Sequence, residues 1–227
     1  MRTTLLIAEP DDPLAQHVGR LVPRALRCTQ RELLERGRLS LQQDGVQVRG
    51  ALGIGTTSLP FESVAGVLYR PHGAPPRHRK KLGAFVHHER QAAWCAALYA
   101  LPCAVVNRMP PGWWLDPELH RCWLADRFAL ELALPRRHDA PAPMEVRSAY
   151  VIEGDVAPGA PAWLRRHLAA NPAALGRWQE ATGVRIARID IVGRTQGVVA
   201  VDPFPALREA APALLAHIGP RVARLLA

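Results

Sequence analysis

The sequence predicts an α/β protein whose sheet is largely parallel. Short apolar segments with the length of buried strands recur along the first half of the chain, and stretches with helical spacing lie between them. In addition, the 227 residues include 48% hydrophobic and 22% charged side chains, which is the composition of a folded protein with one large domain or two small ones.

The first 48 residues predict a strand, two helices and a hairpin. Residues 5–9 form a short buried strand that ends in a turn rich in proline and aspartate, and a helix then covers residues 13–26. A shorter helix begins near Gln30. Apolar and polar residues alternate on both sides of an Asp-Gly pair in residues 39–48, a pattern typical of a two-residue hairpin.

The alternation of strands and helices continues to residue 107. Gly53 and Gly55 predict a turn, because this segment lacks the lysine and the following helix of a phosphate-binding loop. Residues 64–69 and 103–107 predict apolar strands, and residues 85–100 between them have the length and composition of a helix.

The pattern stops at residues 109–114, Met-Pro-Pro-Gly-Trp-Trp, which predict a domain boundary. We therefore expect two domains, residues 1–112 and residues 113–227. The second domain should begin with a helix over residues 117–134 and a strand over 146–152. A helix from Ala162 should break at Asn171, and a second helix should run from Pro172 to Gly183. Antiparallel strands over 186–192 and 198–202 and a final helix over 206–226 should follow.

The formal net charge is +9, from 29 basic and 20 acidic residues, and Lys80 and Lys81 are the only lysines. The basic residues are scattered, whereas a nucleic-acid-binding protein gathers them in one patch, so we do not expect a nucleic-acid partner. The basic run at residues 77–81 is either a solvated loop or a site for an anionic ligand.

The chain has no apolar run long enough to cross a bilayer, and its short apolar start is followed by acidic residues. We therefore expect a cytoplasmic protein without a membrane partner. The four cysteines show no spacing typical of a metal site, and we expect buried or inert thiols, with a reactive nucleophile or a metal set as the alternative: Cys28, Cys95, Cys103 and Cys122.

Two carboxylates in the C-terminal hairpin are the candidate metal ligands. Asp190 lies within one strand and Asp202 ends the other, and adjacent antiparallel strands bring such residues together if the register permits. Hard cations such as Mg²⁺ bind oxygen ligands and bridge substrate phosphates. The alternative is that Asp190 is a polar residue at a strand edge and that Asp202 begins a turn with Pro203.

Several segments, taken in order, resemble the ATP-grasp superfamily, in particular its RimK-like and ribosomal-peptide-modifying members. Residues 187–205, which include Ile-Asp-Ile and Val-Asp-Pro-Phe-Pro, resemble the end of the ATP-grasp core. Five other segments agree in order. Three resemble the domain that precedes this core (residues 64–70, 85–94 and 101–108), one resembles a strand whose arginine faces the acyl substrate (residues 146–154), and one resembles the helix that leads into the aspartate strand (residues 178–184).

The resemblance implies an N-terminal pre-ATP-grasp-like α/β domain followed by a reduced ATP-grasp-like α+β half. Members of the superfamily bind ATP and magnesium and activate a carboxylate as an acyl phosphate, which an amine then attacks. Carried over to this sequence, the resemblance implies that Arg147 is a catalytic residue and that Asp190 and Asp202 are metal ligands. Arg127 is the candidate for a cofactor contact in place of a lysine.

The sequence also departs from the superfamily pattern. Ala200 stands where a glutamate is expected and Asp202 where an asparagine is expected, residues 122–126 contain no phosphate-binding lysine, and residues 135–145 are too few for the lid subdomain. No lysine follows Lys81. A guanidinium is not a simple substitute for the compact ammonium group of lysine.

Two functions follow from the resemblance and its departures. The first is a degenerate ATP-grasp-like protein of a peptide or small-molecule modification pathway, which binds a substrate or a protein partner without conventional ligase chemistry. The alternative is an ATP- and Mg-dependent carboxylate–amine ligase that is completed by a partner subunit. The sequence leaves open whether ATP and Mg or no cofactor is bound, and whether the chain forms a homo-oligomer.

Overall fold

The computed structural model describes residues 2–70, 81–108, 117–137, 145–193, 197–207 and 212–227. Their helices and strands belong to two units. Residues 1–111, 206–209 and 219–227 form the first unit, and residues 112–205 and 210–218 form the second. The mixture of a parallel sheet with antiparallel sheets confirms the predicted α/β class. The predicted boundary at residues 109–114 lies outside the described residues.

The first unit is built on a four-stranded parallel sheet. Its strands are β1 (Thr3–Ile7), β2 (Ala25–Cys28), β6 (Val64–Tyr69) and β7 (Ala104–Val106), in the order β2-β1-β6-β7. The central strand β1 is buried along its whole length, as expected for a parallel strand that has neighbours on both edges. Helices α1 (Pro13–Leu21), α2 (Gln30–Arg36) and α3 (Lys81–Ala100) connect the strands of the unit.

Helix α1 is shorter than the sequence predicted. The prediction of a helix over residues 13–26 was wrong, since the helix ends at Leu21 and Ala25–Cys28 forms strand β2. The physical reason is Pro23, because a proline disfavours helical backbone at the residue before it and cannot donate the next helical hydrogen bond.

A three-stranded antiparallel sheet follows α2 in the first unit. It consists of β3 (Arg38–Asp44), β4 (Gln47–Ile54) and β5 (Thr57–Pro60). The predicted hairpin is confirmed, and Gly45 in its turn has a φ of 57°, which favours glycine. The predicted turn at Gly55 is also confirmed, with a φ of 59°, although it leads into a strand, β5, that the sequence analysis did not anticipate.

The second unit contains an antiparallel sheet of four strands, β8 (Val146–Ile152), β9 (Asp155–Val156), β10 (Ile186–Val192) and β11 (Gly197–Asp202). Their order in the sheet is β11-β10-β8-β9, and the predicted hairpin is formed by β10 and β11. Helices α4 (Pro117–Glu131), α5 (Ala162–Ala170) and α6 (Pro172–Thr182) belong to the same unit. The final helix, α7 (Pro212–Leu225), begins later than predicted.

The strands of this sheet separate an apolar face from a polar one. Along β10, Ile189 and Ile191 are buried, whereas the alternating residues Arg188 and Asp190 are only partly buried. In the core of the same unit, the rings of Phe128 and Trp178 meet edge to face with centroids 4.9 Å apart. The helices therefore bury their apolar side chains with the sheet, and polar groups collect on the opposite face of the hairpin.

No helix among the described residues combines the length and the apolar character that a bilayer crossing requires.

Candidate functional site

The two predicted metal ligands lie on the polar face of the second unit's sheet. The register pairs Asp190 with Ala200 and Arg188 with Asp202. Directly opposed residues of an antiparallel pair share a face, and so do residues two apart on one strand. The aspartates are thus diagonal neighbours on one face, at positions that lie about 7–8 Å apart in such a sheet.

The guanidinium of Arg188 contacts both carboxylates. Its Nε lies 3.1 Å from Oδ1 of Asp190, and its Nη2 lies 3.6 Å from Oδ2 of Asp202. The Nε atom is buried and makes no hydrogen bond to any described residue, so its contact with Asp190 is an ion pair without hydrogen-bond geometry. The side chains of Asp190 and Asp202 are only 16% and 9% exposed, which weakens the screening of these charges by water.

Two further hydrogen bonds occupy the carboxylates. The hydroxyl of Ser148 in β8 donates to Oδ1 of Asp190 at 2.7 Å. The backbone N–H of Phe204 donates to Oδ1 of Asp202 at 3.0 Å, which closes a turn over Pro203. Asp202 therefore takes part in the turn with Pro203 that the sequence analysis gave as its alternative role.

Arg147 lies apart from this cluster. It pairs with Ile191 across the β8–β10 ladder, so it belongs to the face of Ile191 and not to that of Asp190. Its Nη2 lies 3.1 Å from Oε1 of Glu145, and its side chain is 61% exposed. No hydrogen bond or ion pair among the described residues joins Arg147 to Asp190 or Asp202.

Arg127 is held on the surface of helix α4. Its Nη2 lies 3.5 Å from Oε1 of Glu131 one turn later, and its guanidinium carbon lies 5.5 Å from the centre of the Trp123 ring. The Nε of Arg127 is buried and has no hydrogen-bond partner in the part of the chain that the structure describes. Arg127 has no direct contact with the two aspartates among the described residues, so the structure brings together Asp190 and Asp202 but neither predicted arginine.

Comparisons with solved structures cover almost the whole chain. Macrocyclase MdnC from Microcystis aeruginosa, bound with precursor peptide MdnA, matches with a TM-score of 0.67 at 11% identity, over 100% of this chain and 99% of that one. The RiPP-associated ATP-grasp ligase of Chryseobacterium gregarium, in complex with ADP and with a leader and core peptide, matches with a TM-score of 0.59 at 11% identity, over 100% and 96%. Ligase PsnB, complexed with minimal precursor, Mg and ADP, matches with a TM-score of 0.57 at 13% identity, over 99% and 96%.

The chain has the fold of ATP-grasp ligases. This confirms the fold implied by the order of the sequence segments. No protein-family model matches the sequence. No curated protein matches it significantly.

The ATP-grasp fold implies a magnesium ion and a nucleotide, and the residues of this site do not fit the ion. Arg188 places a cation against both carboxylates, and Asp202 uses one oxygen to close the turn at Phe204. Ala200, directly opposite Asp190, offers no oxygen ligand on its side chain. Within the described parts of the chain, no three His, Cys, Asp or Glu side chains gather in a group that could hold a metal.

Arg188 is the site residue that the sequence analysis missed. A signal for it was present, because Arg188 and Asp190 are two residues apart on a predicted strand and must share a face. The contact with Asp202 had no such signal, since it depends on which residue of β11 lies opposite Arg188.

The first unit contains a cavity of about 240 Å³ at the carboxyl ends of β1 and β2. Among its lining residues, Thr29 and Glu32 are already joined in a capping box at the start of α2. Cys28 also lines the cavity, and burial raises the pKa of its thiol to about 12. Cys122 is exposed, and Cys95 and Cys103 are partly buried. Of the basic run at residues 77–81, which the sequence predicted to be either a solvated loop or a site for an anionic ligand, residues 77–80 lie outside the described residues and Lys81 begins α3.

Proposed function

We propose that this chain is a degenerate ATP-grasp-like protein that binds a peptide in a peptide-modification pathway without conventional ATP-dependent ligation. The role in peptide modification is supported by the fold, because MdnC and the Chryseobacterium gregarium ligase share it over nearly their whole length and were both solved with peptides bound. In this proposal residues 1–112 correspond to the domain that precedes the catalytic core, and residues 113–227 correspond to a reduced core.

The loss of ligase chemistry is inferred from the pairing of Asp190 with Ala200. Phosphoryl transfer depends on cations that neutralise the charge of the phosphates, and metal ions must themselves be held by oxygen ligands. A methyl group opposite Asp190 supplies no such ligand. The sequence also has no lysine after Lys81 that would contact a phosphate.

In this proposal Arg147 and Arg127 provide positive charges that bind an anionic ligand. The guanidinium of Arg147 is mostly exposed, and its one ion pair within the described parts of the chain is with Glu145, an interaction that water screens strongly. It is therefore free to exchange Glu145 for a carboxylate of a bound peptide. Arg127 is the corresponding candidate on α4 for a phosphate or carboxylate.

Two measurements on the full chain test the proposal. Peptides selected from a random display library should bind with an affinity that fluorescence anisotropy can measure, and Arg147→Ala should weaken the binding of acidic peptides. A ligand that binds the folded state raises the melting temperature. Because we propose that the chain has lost its nucleotide chemistry, Mg-ATP at millimolar concentration should leave the melting temperature unchanged.

The ligase alternative predicts the opposite outcome. If the protein converts ATP to ADP and inorganic phosphate while an amide bond forms between a carboxylate and an amine of a peptide substrate, and if Asp190→Asn abolishes this activity while the fold is retained, the chain is a carboxylate–amine ligase. Repeated selections that yield no peptide able to bind would refute the binding role.

A further inference from the structure

We propose that Arg188 is a resident cation that takes the place of a divalent metal ion between Asp190 and Asp202. The inference concerns the same hairpin as the proposed function but does not depend on peptide binding. It predicts that replacing Arg188 by a neutral residue creates a metal site that the natural chain lacks.

The geometry places one guanidinium against both carboxylates. Nε and Nη2 of Arg188 lie 3.1 and 3.6 Å from oxygens of Asp190 and Asp202, respectively. A metal ion that bridged the same two side chains would have to occupy the space between them, at about 2.0–2.1 Å from each oxygen in the case of Mg²⁺. The guanidinium and the ion therefore exclude each other.

The charges lead to the same conclusion. Two carboxylates carry two negative charges, and Arg188 neutralises one of them, so the cluster has a formal charge of −1. Without Arg188 the formal charge would be −2, at two side chains that are largely shielded from water. A divalent cation would balance that charge, whereas in the natural chain it is repelled by the guanidinium a few ångströms away.

The strand positions keep Arg188 in this place. The residue stands within β10 between two neighbouring strands, opposite Asp202 on one side and Tyr150 on the other. Its side chain is 30% exposed, and its buried Nε has no hydrogen-bond partner among the described residues. Asp190 is further held by Ser148, so the carboxylate is already oriented toward the cluster.

Manganese(II) is the probe for the test, because the signal of the free ion in electron paramagnetic resonance is lost on binding. The natural chain should bind no Mn²⁺ at this site in the millimolar range. Arg188→Gln should gain one site per chain, with an affinity at least about tenfold higher than that of the natural chain. The double variant Arg188→Gln, Asp190→Asn should lose the site again.

Arg177→Gln is the matched control. It removes the same charge from an exposed position on α6 of the same unit and should gain no site. An equal gain in Arg188→Gln and Arg177→Gln would overturn the proposal, since net charge alone would explain it. No gain in a folded Arg188→Gln variant would also overturn it.

If Arg188→Gln does not fold, the binding of Mn²⁺ to the natural chain tests the proposal. Binding of Mn²⁺ to the natural chain that Asp190→Asn removes would overturn the proposal, because Arg188 would then coexist with the ion. The absence of such binding supports it. Peptide binding is a separate measurement, so its failure would refute the proposed function and leave this result unchanged.

Discussion

Asp12 and Arg70 form a buried ion pair that joins two distant parts of the first unit. Nε of Arg70, the residue after β6, donates to Oδ2 of Asp12 at 2.8 Å, and both side chains are at most 3% exposed. The other oxygen of Asp12 accepts the N–H of Ala15 at 2.7 Å and so caps helix α1. One carboxylate thus fixes the beginning of a helix to the end of a strand.

Replacing Arg70 should destabilise the first unit strongly. Arg70→Ala removes the guanidinium that faces the buried carboxylate of Asp12, and breaking a buried ion pair by removing one member costs about 3–5 kcal/mol. Urea unfolding followed by circular dichroism measures the loss. Arg31→Ala is the control, because Arg31 pairs with Glu35 on the surface and should change the free energy of unfolding by less than about 1 kcal/mol. Similar losses in both variants would contradict the prediction.

Replacing Gly176, inside helix α6, and Gly183, the residue that follows it, by alanine should change stability in opposite directions. Gly176 lies inside the helix with open space around its added Cβ position, so Gly176→Ala should stabilise the protein by about 0.5–1 kcal/mol. Gly183 ends the helix with a φ of 70°, and Gly183→Ala should destabilise it by about 1 kcal/mol or more. Thermal unfolding of the two single variants compares them directly, and a shift of the same sign in both would refute this account.

The cysteines should differ in their reaction with a thiol reagent. Burial raises the pKa of Cys28 from 9.0 to about 12, which lowers its thiolate fraction about 1000-fold near neutral pH. Cys122 is exposed. Iodoacetamide followed by peptide mass spectrometry should therefore label Cys122 in the folded protein and Cys28 only after unfolding, and prompt labelling of Cys28 in the folded chain would contradict its burial.

The same thiol should make stability depend on pH in the alkaline range. Because the folded protein holds the proton of Cys28 up to about pH 12 whereas the unfolded chain releases it near pH 9, the unfolded state binds fewer protons in between. The contribution of Cys28 is fully present below pH 9 and falls by about 1.4 kcal/mol per pH unit above it.

Cys28→Ala provides the comparison for this pH dependence. Its free energy of unfolding should decline less steeply between pH 9 and pH 10.5 than that of the natural chain, when both are measured by urea titration. Equal slopes would mean that the Cys28 thiol ionises alike in the folded and unfolded states.

The stability of the folded protein should depend more on the acceptor oxygen of Asp202 than on its negative charge. Asp202→Ala removes the oxygen that accepts the Phe204 N–H at a buried turn, which costs about 1–3 kcal/mol. Asp202→Asn keeps an acceptor oxygen and should cost less. Thermal unfolding separates the two variants, and an equal or greater loss in Asp202→Asn would show that the pairing with Arg188 outweighs the turn.

The amino-acid sequence by itself determined most of the elements. Apolar runs, the Asp-Gly pair and proline breaks act within a few residues of the chain, so they indicated three of the four parallel strands, β1, β6 and β7, but not β2. They also indicated the hairpin of β3 and β4 and the pair of β10 and β11. The end of α1 was predicted too late although Pro23 marks it, since the apolar spacing continues past the proline.

Only the tertiary structure decided how the charged residues meet. Asp12 and Arg70 are 58 positions apart, and the contact of Arg188 with Asp202 depends on the register of two strands. A shift of that register by one residue would turn Asp202 to the other face of the sheet, and nothing in the local spacing excludes this. The sequence could therefore name Asp190 and Asp202 as a pair of carboxylates, whereas the fold decided that an arginine lies between them.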